Sequence, residues 1–130
     1  MSETITAADL AGILEQGQLD LLPPLFRADR AVYDLLPVLL RDERIGVRIG
    51  AAALVEELAG ADPAGRPRAE AALLGMLGDA DPVRRGDAAY LLGFAGGGAS
   101  RDDLARLAAE DPDADVREAA AEALERLAGD

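Results

Sequence analysis

Three aspartate and arginine pairs with the same spacing are the residues of this chain that most readily suggest chemistry. They are Asp42 with Arg48, Asp79 with Arg85, and Asp111 with Arg117. A carboxylate can act as a general base and a guanidinium can stabilise a developing negative charge, so a catalytic role has to be considered. Each pair is followed by an alanine-containing run with a leucine or valine. The whole segment is therefore repeated, which favours an architectural role over a catalytic one.

Other candidates for catalysis or metal binding lack essential partners. The chain has no His and no Cys, so the most common general base, the thiol nucleophile and the usual zinc ligands are missing. Ser100 has no base to activate it and is better explained as a helix cap. The carboxylates of Asp111, Asp113 and Asp115 lack the glycine and the glutamate that complete a calcium-binding loop. We therefore expect no enzyme, with no catalytic residue, no cofactor and no metal.

Composition excludes several classes of partner. The 130 residues carry a formal net charge of -12, which repels the phosphate backbone, so we expect no nucleic-acid partner. Residues 31–40 form the longest candidate for a membrane span, but they contain Asp34 and Pro37 and fall far short of about 20 apolar residues. The start of the chain, Met1 to Thr4, lacks the basic and apolar regions of a secretory signal. We therefore predict no membrane association and a cytoplasmic location.

The spacing of apolar residues predicts an all-α fold. They recur three and four residues apart, which is typical of amphipathic helices, and no segment forms a convincing strand. Self-similarity at about 30 to 40 residues is typical of a helical solenoid. We predict one domain over residues 1–130, with an N-terminal cap at 5–28 and repeats at 29–60, 61–97 and 98–130. The predicted helix pairs cover roughly 30–41 and 45–60, 63–77 and 82–96, and 100–109 and 114–128.

Capping chemistry supports these boundaries. Thr6 and Asp9 have the spacing of a capping pair at the start of a first helix. Asp62 and Asp81 each precede a proline, which places an acceptor at the N-cap and a proline at the first helical position. Ser100 is followed three residues later by another aspartate and repeats the capping pair. Helix starts are therefore predicted near residues 6, 63, 82 and 100.

The third copy resembles a known repeat. Its sequence from Asp111 to Leu124, DPDADVREAAAEAL, resembles the turn and second helix of a HEAT repeat, and all three copies extend the resemblance over about residues 30–128. The chain resembles the short HEAT-like type that is also found in phycobilisome-lyase-related proteins. The resemblance implies a right-handed α-solenoid, an αα superhelix of about three helical hairpins behind an atypical N-terminal cap. In the second copy, Arg84 stands where the other copies have valine, so Arg84 and Arg85 are alternative equivalents of Arg48.

The resemblance also implies a structural role for the repeated charges. In HEAT proteins an acid in the turn and an arginine at the start of the second helix form a ladder between neighbouring repeats. We therefore expect Asp42, Asp79 and Asp111 to pair in this way with Arg48, Arg85 and Arg117. Charge-assisted hydrogen bonds of this kind fix the register between repeats.

Counting from each repeated arginine at about 100° per residue separates two faces of the second helices. Positions three, six, seven and ten form an apolar stripe, which we predict to be the core. It consists of Ala51, Leu54, Val55 and Leu58, of Ala88, Leu91, Leu92 and Ala95, and of Ala120, Ala123, Leu124 and Leu127. Leu36, Leu39, Leu40, Leu73, Met76 and Leu77 are predicted to fill the core from the first helices.

Positions one, five, eight and nine are expected to face away from this core. They are polar in the third copy, whereas the first two copies carry apolar residues there. We predict a partner-binding surface at Ile49, Ala53, Glu56, Glu57, Asp87, Tyr90 and Phe94. Gly86 and Gly93 are expected to let a partner's backbone approach. The alternative is that Tyr90 and Phe94 pack against a neighbouring repeat.

These observations predict a non-catalytic scaffold or adaptor that binds another protein. The acidic field favours a partner with a basic or mixed-charge surface. Two alternatives stay open: an accessory or maturation subunit of a lyase-like, cofactor-handling enzyme, and a spacer module of a larger assembly. The polar outer face of the last helix indicates a monomer.

Overall fold

The structure is a computed structural model that describes residues 4–129. Within this range it contains eight α-helices and no β-strand, which confirms the all-α prediction. The helices are α1 (Ala7–Glu15), α2 (Leu22–Ala28), α3 (Leu36–Leu40), α4 (Ile45–Ala61), α5 (Arg66–Leu74), α6 (Pro82–Ala95), α7 (Gly98–Glu110) and α8 (Ala114–Ala128). Residues 1–3, which carry most of the expectation about a secretory signal, lie outside the described range.

The helices form two layers of stacked hairpins. In each hairpin a first helix packs on a second one: α3 on α4, α5 on α6, and α7 on α8. The second helices also pack on one another in the order α4, α6, α8, and we call them the second-helix layer. Contact between α6 and α8 is more extensive than contact between α4 and α6. The helices α1 and α2 pack on α4 and close the first end of the stack.

The core lies between the two layers, on the stripe that the repeats share. All the predicted core positions are buried except Leu124, which is half-buried on the outermost helix. Alanines at Ala51, Ala88 and Ala120 are completely buried and let the layers approach closely. The prediction of the core face is therefore confirmed.

Prolines explain why the first helices of the first two repeats, α3 and α5, begin later than predicted. Residues 30–41 do not form one helix, because a 3-10 segment (Arg30–Leu35) precedes α3. Pro37 has no N–H to donate to the carbonyl of Tyr33, and its ring would clash with that carbonyl in a continuous α-helix. In the second repeat a 3-10 turn (Pro63–Gly65) likewise precedes α5, which has Pro67 in its first turn. In both repeats helical turns begin near the predicted residue, but they are 3-10 turns, and the α-helix starts three to six residues later.

Capping chemistry agrees with the sequence at two of the four predicted sites. Thr6 and Asp9 form a reciprocal capping box, with N-to-O distances of 3.0 and 3.1 Å. Asp81 caps α6 by accepting a hydrogen bond from the amide of Val83 at 2.9 Å. Ser100, in contrast, lies inside the first turn of α7, which begins at Gly98, and makes no cap hydrogen bond. The prediction of Ser100 as an N-cap is wrong.

Asp62 was also predicted to be an N-cap, and the structure gives it a different role. Its carboxylate is almost fully buried and accepts hydrogen bonds from the guanidinium of Arg30 at 2.6 and 3.2 Å and from the hydroxyl of Tyr33 at 2.8 Å. These three residues form the Asp62 network, which joins the chain before α3 to the turn after α4. The hydrogen bonds from Arg30 are the main cause of the lowered pKa of Asp62, burial opposes them, and the Tyr33 hydrogen bond lowers the pKa further.

The Asp62 network predicts a change in the acid sensitivity of the fold. A carboxyl group with a lowered pKa in the folded state stabilises the protein above its unfolded pKa, about 3.9, and this contribution is lost as the pH falls through the folded pKa. We expect Asp62→Asn to lower the melting temperature at pH 7 by roughly 5–10 °C, because it breaks a buried charged hydrogen bond. Below about pH 4 the difference from the wild type should shrink.

Thermal melts of both proteins between pH 7 and pH 3 measure this difference. Asp102→Asn is the matched control, because Asp102 is exposed and makes no side-chain hydrogen bond within the described residues. A constant difference between Asp62→Asn and wild type across this pH range would contradict the assigned role.

Candidate partner-binding surface

The repeated aspartates and arginines both make hydrogen bonds that stabilise the turn between the two helices of each hairpin. Each arginine donates from Nη1 to the backbone carbonyl of the aspartate six residues earlier, at 2.6 Å for Arg48, 2.9 Å for Arg85 and 2.7 Å for Arg117. Each aspartate accepts a hydrogen bond from the backbone amide two residues later, at 2.9 Å for Asp42, 3.0 Å for Asp79 and 2.9 Å for Asp111. This pattern identifies Arg85, and not Arg84, as the equivalent of Arg48.

Between repeats, only one of the expected pairs has the expected partners. Arg85 donates to the carboxylate of Asp111 in the next repeat at 2.9 and 3.2 Å, and this hydrogen bond is the main cause of the lowered pKa of Asp111. Asp79 is instead paired with Arg41, at 2.9 Å. Arg48 donates to backbone carbonyls and makes no ion pair within residues 4–129. The ladder is therefore incomplete, because Arg41, at the C-terminal end of α3, pairs with Asp79 in place of Arg48.

A groove lies between the N-terminal half of α4 and the face of α6 from Val83 to Leu91, and it has a volume of about 250 Å³. Its lining residues are Ile45, Arg48, Ile49, Ala52, Val83, Asp87, Tyr90 and Leu91. Three of them are aliphatic side chains with unusually high exposure: Ile45 at 66%, Ile49 at 63% and Val83 at 66%. The groove therefore collects most of the large apolar side chains that the described chain exposes, and we call it the α4–α6 groove.

The α4–α6 groove exists because the second helices are unequally spaced. The position after the repeated arginine is Ile49 in α4 but Gly86 in α6, and the position seven residues later is Glu56 in α4 but Gly93 in α6. Gly93 lies against α8, where an added Cβ would be 3.1 Å from the Cα of Ala123. On α4, Ile49 lines the groove and Glu56 accepts a hydrogen bond from Tyr90 of α6, and contact between α4 and α6 is less extensive than contact between α6 and α8.

The register of the second copy supplies a further wall of the groove. Val47 and Val116 are buried at the position before the repeated arginine, but α6 has the half-buried Arg84 there. Val83 lies one residue earlier, about 100° around the helix, so it points out of the core and into the groove. The departure from the repeat pattern thus converts a core valine into a surface valine.

The structure brings only part of the predicted partner-binding surface together. Ile49, Asp87 and Tyr90 line the α4–α6 groove. Glu56 borders it by accepting a hydrogen bond from the Tyr90 hydroxyl at 2.8 Å. Ala53 and Glu57 are exposed but lie outside the groove.

Phe94 and the two glycines of α6 face the next repeat and not a partner. The Phe94 ring is half-buried, with its centroid 4.2 Å from the guanidinium carbon of Arg126 and 5.3 Å from the centroid of the Tyr90 ring. Gly93 is buried against α8, and Gly86 also faces that helix. The buried Gly93 therefore cannot admit a partner's backbone, whereas Gly86 is half-buried against Val116 and borders a second opening between α6 and α8. For Phe94, the alternative of packing between repeats is the correct one.

Sequence reasoning missed four apolar residues of the groove. Ile45, Ala52, Val83 and Leu91 were not predicted to belong to a surface site. The sequence did distinguish Val83, because this valine stands one position earlier in its repeat than Val47 and Val116 stand in theirs. Whether a valine shifted in this way lines a groove depends on which helix packs beside it. The repeat pattern alone does not identify that helix.

The electrostatics of the α4–α6 groove are dominated by carboxylates. Although Asp87 is exposed as a residue, its carboxyl group borders the groove wall, and desolvation there raises its pKa. The positive charge of Arg48 lowers the pKa of Asp87, and the neighbouring Asp81 raises it. The hydrogen bond to Glu56 raises the pKa of Tyr90, so this hydroxyl stays a donor near neutral pH. The groove therefore combines an apolar wall with a negatively charged edge.

Comparison with known proteins identifies the family of this chain. Residues 32–125 match the family model described as HEAT repeats. The chain belongs to the HEAT repeat family. HEAT repeats generally mediate interactions between proteins, and the family is typically a non-catalytic scaffold. No curated protein and no solved structure matches this HEAT repeat chain.

Outside the groove of this HEAT repeat protein, a buried hydrogen-bond cluster joins the start of α7 to α5. Ser100 is fully buried, and its hydroxyl donates to the carboxylate of Glu70 at 2.6 Å, which also accepts the amide of Gly97 at 2.6 Å. No group of three or more acidic side chains in residues 4–129 is arranged to hold a metal ion. None of the described helices has both the length and the apolar character that a membrane span requires.

Proposed function

We propose that this HEAT repeat protein is a scaffold or adaptor that binds another protein in the α4–α6 groove. The observation that carries this proposal is the concentration of Ile45, Ile49 and Val83, each more than 60% exposed, along one side of two adjacent second helices. Exposed apolar clusters with charged edges often mark interaction sites. The general role of the family supports the same assignment.

The size of the groove favours a protein partner over a small molecule. Its volume of about 250 Å³ is below the roughly 300–1,000 Å³ that pockets for small ligands usually occupy. It also lacks a cluster of convergent polar groups, because the Tyr90 hydroxyl is bound to Glu56 and Arg48 is bound to backbone carbonyls. A side chain from a partner fits these dimensions better than a free ligand.

Site-specific photo-crosslinking tests the proposal directly. A photoreactive residue at Ile49 is expected to form a discrete crosslink to another protein in a cell extract. The same residue at Val38 should not, because Val38 is 53% exposed on α3 but lies outside the α4–α6 groove. The crosslinked protein is then purified for affinity measurements.

Two matched valine variants complete the test. With the purified partner, Val83→Ser is expected to weaken binding about tenfold or more, since burying a valine contributes roughly 1.5 kcal/mol. Val38→Ser should bind like the wild type. Both residues are exposed, so neither change removes core packing, and circular dichroism checks the fold. Equal affinities for the two variants, or crosslinks from Val38 alone, would refute this surface.

A further inference from the structure

We infer that the α4–α6 groove selects a partner segment with an aliphatic side chain next to an arginine or lysine. The aliphatic side chain would lie between Ile45, Ile49 and Val83, and the cation would pair with Asp87. This inference rests on the proposed function and adds the chemistry of the partner to it.

The walls of the groove favour an aliphatic side chain. Ile45 and Ile49 on α4 oppose Val83 on α6, and Ala52 and Leu91 supply further apolar lining. Polar atoms on these walls are already in use, because the Tyr90 hydroxyl donates to Glu56 at 2.8 Å. A polar side chain in this space would lose its hydration without gaining hydrogen bonds, whereas an aliphatic one would gain burial.

Asp87 is the carboxylate that can receive a partner's cation. It lines the groove but makes no hydrogen bond and no ion pair within residues 4–129. The neighbouring Asp81 caps α6 and is 3.8 Å from the guanidinium of Arg84, and Glu56 accepts the hydroxyl of Tyr90. Arg48 is the one cation on the groove wall, but it is committed to two carbonyls at 2.6 and 2.9 Å. An added Arg or Lys would therefore meet an unpaired negative charge.

Charge also decides against a second copy of the chain as the occupant. The formal net charge of -12 makes two copies repel each other, and Asp87 adds an unpaired negative charge at the groove itself, whereas Asp81 is offset there by Arg84. An acidic partner segment is disfavoured for the same reason. A segment that carries a positive charge beside its aliphatic side chain is attracted by the same negative potential that repels a second copy of the chain or an acidic segment.

Selection from a displayed library of random heptapeptides tests this inference with the full chain as bait. We expect the enriched peptides to carry Leu, Ile, Val or Met within two positions of Arg or Lys. A synthetic peptide of the enriched sequence is then titrated against the wild type and against Asp87→Asn. Loss of the charge pair should weaken binding about tenfold, which corresponds to about 1.4 kcal/mol, and the loss should be smaller at high salt.

Matched variants assign the effect to the groove. Val83→Ser should also weaken the peptide about tenfold. Asp102→Asn removes the same charge from an exposed position on α7 and should leave the affinity unchanged. When the peptide's Arg or Lys is replaced by Gln, Asp87→Asn should cause no further loss.

Several outcomes would overturn the inference. These are enrichment of acidic peptides, enrichment without a basic residue, or equal affinity for Asp87→Asn and the wild type. Sedimentation that shows a dimer dissociated by Val83→Ser would identify a second copy as the occupant. If a protein crosslinks at Ile49 and requires Val83 but binds Asp87→Asn normally, the proposed function stands and only the partner chemistry is wrong.

Discussion

Replacing Gly65 with alanine is expected to destabilise the protein by about 3 kcal/mol. Gly65 is buried where the 3-10 turn leads into α5, and it lies against the Asp62 network. A Cβ at this position would be only 2.6 Å from Cζ of Tyr33 and would also collide with the Tyr33 hydroxyl and the Asp62 carboxylate. These atoms cannot move away without breaking the buried hydrogen bond between them. The variant therefore suffers both overpacking and the loss of that bond.

Urea denaturation measures this loss, and Gly12→Ala provides the control. Gly12 lies within α1, and a Cβ there would meet no atom within 4 Å. Because alanine is the better helix former, Gly12→Ala should stabilise the protein by about 0.5–1 kcal/mol. A loss of less than about 0.5 kcal/mol in Gly65→Ala would show that the turn adapts to a Cβ, against the packing described here.

The second large effect is expected for Gly93→Val, which should destabilise the protein by about 3 kcal/mol. The Cβ of this valine would lie 3.1 Å from Cα and 3.4 Å from Cβ of Ala123, and 3.3 Å from Cδ of Arg126. The nearest of these atoms is backbone, so α8 would have to move as a whole, and the two added methyl groups increase the displacement. We expect the contact between α6 and α8 to loosen first.

Hydrogen exchange and urea denaturation together test this localisation. Amide exchange in Gly93→Val should accelerate in α7 and α8 more than in α4. Gly86→Ala, in the same helix and facing the same neighbour, is the control, because its Cβ would lie 3.8 Å from Val116, an ordinary contact. It should stabilise the protein by up to about 1 kcal/mol. Uniform acceleration over all helices in Gly93→Val would contradict a local clash.

Much of the fold could be predicted from the sequence because the apolar period and the repeat agree. The core stripe needs only the helical period, and residues such as Ala51, Leu54 and Leu58 are buried as that period requires. The Thr6 and Asp9 capping box also depends on residues three apart. Predictions of this kind succeed because the interactions that decide them lie within one or two helical turns.

Predictions failed where the partner of a residue lies far along the chain. Asp62 and Ser100 have residue types that cap helices, but their partners, Tyr33 and Glu70, are 29 and 30 residues away. Local capping rules contain no information about these partners. The buried hydrogen bonds prevail because an unpaired polar group in the core would be costly.

The residues of the α4–α6 groove were predicted only in part for a related reason. A helical wheel separates the core from everything else, but a second helix in a solenoid also meets its neighbours in the layer. Gly93 and Phe94 were assigned to solvent although they face α8. Ile49 was assigned correctly, since the same position on α4 borders a groove. Whether such a position packs on the next helix or borders a groove depends on the spacing between helices. Side chains from different repeats determine that spacing.

The unequal spacing of the second helices also has a mechanical consequence. Between α6 and α8, Gly93 brings backbone against backbone, and the Phe94 ring stacks on Arg126, so this joint is stiff. Between α4 and α6 the packing is less extensive, and one side-chain hydrogen bond among the described residues, from Tyr90 to Glu56, joins them beside the groove, so we expect this joint to be more compliant. We therefore expect bending of the solenoid to concentrate between α4 and α6. Because the groove lies between these two helices, such bending is expected to widen or narrow it.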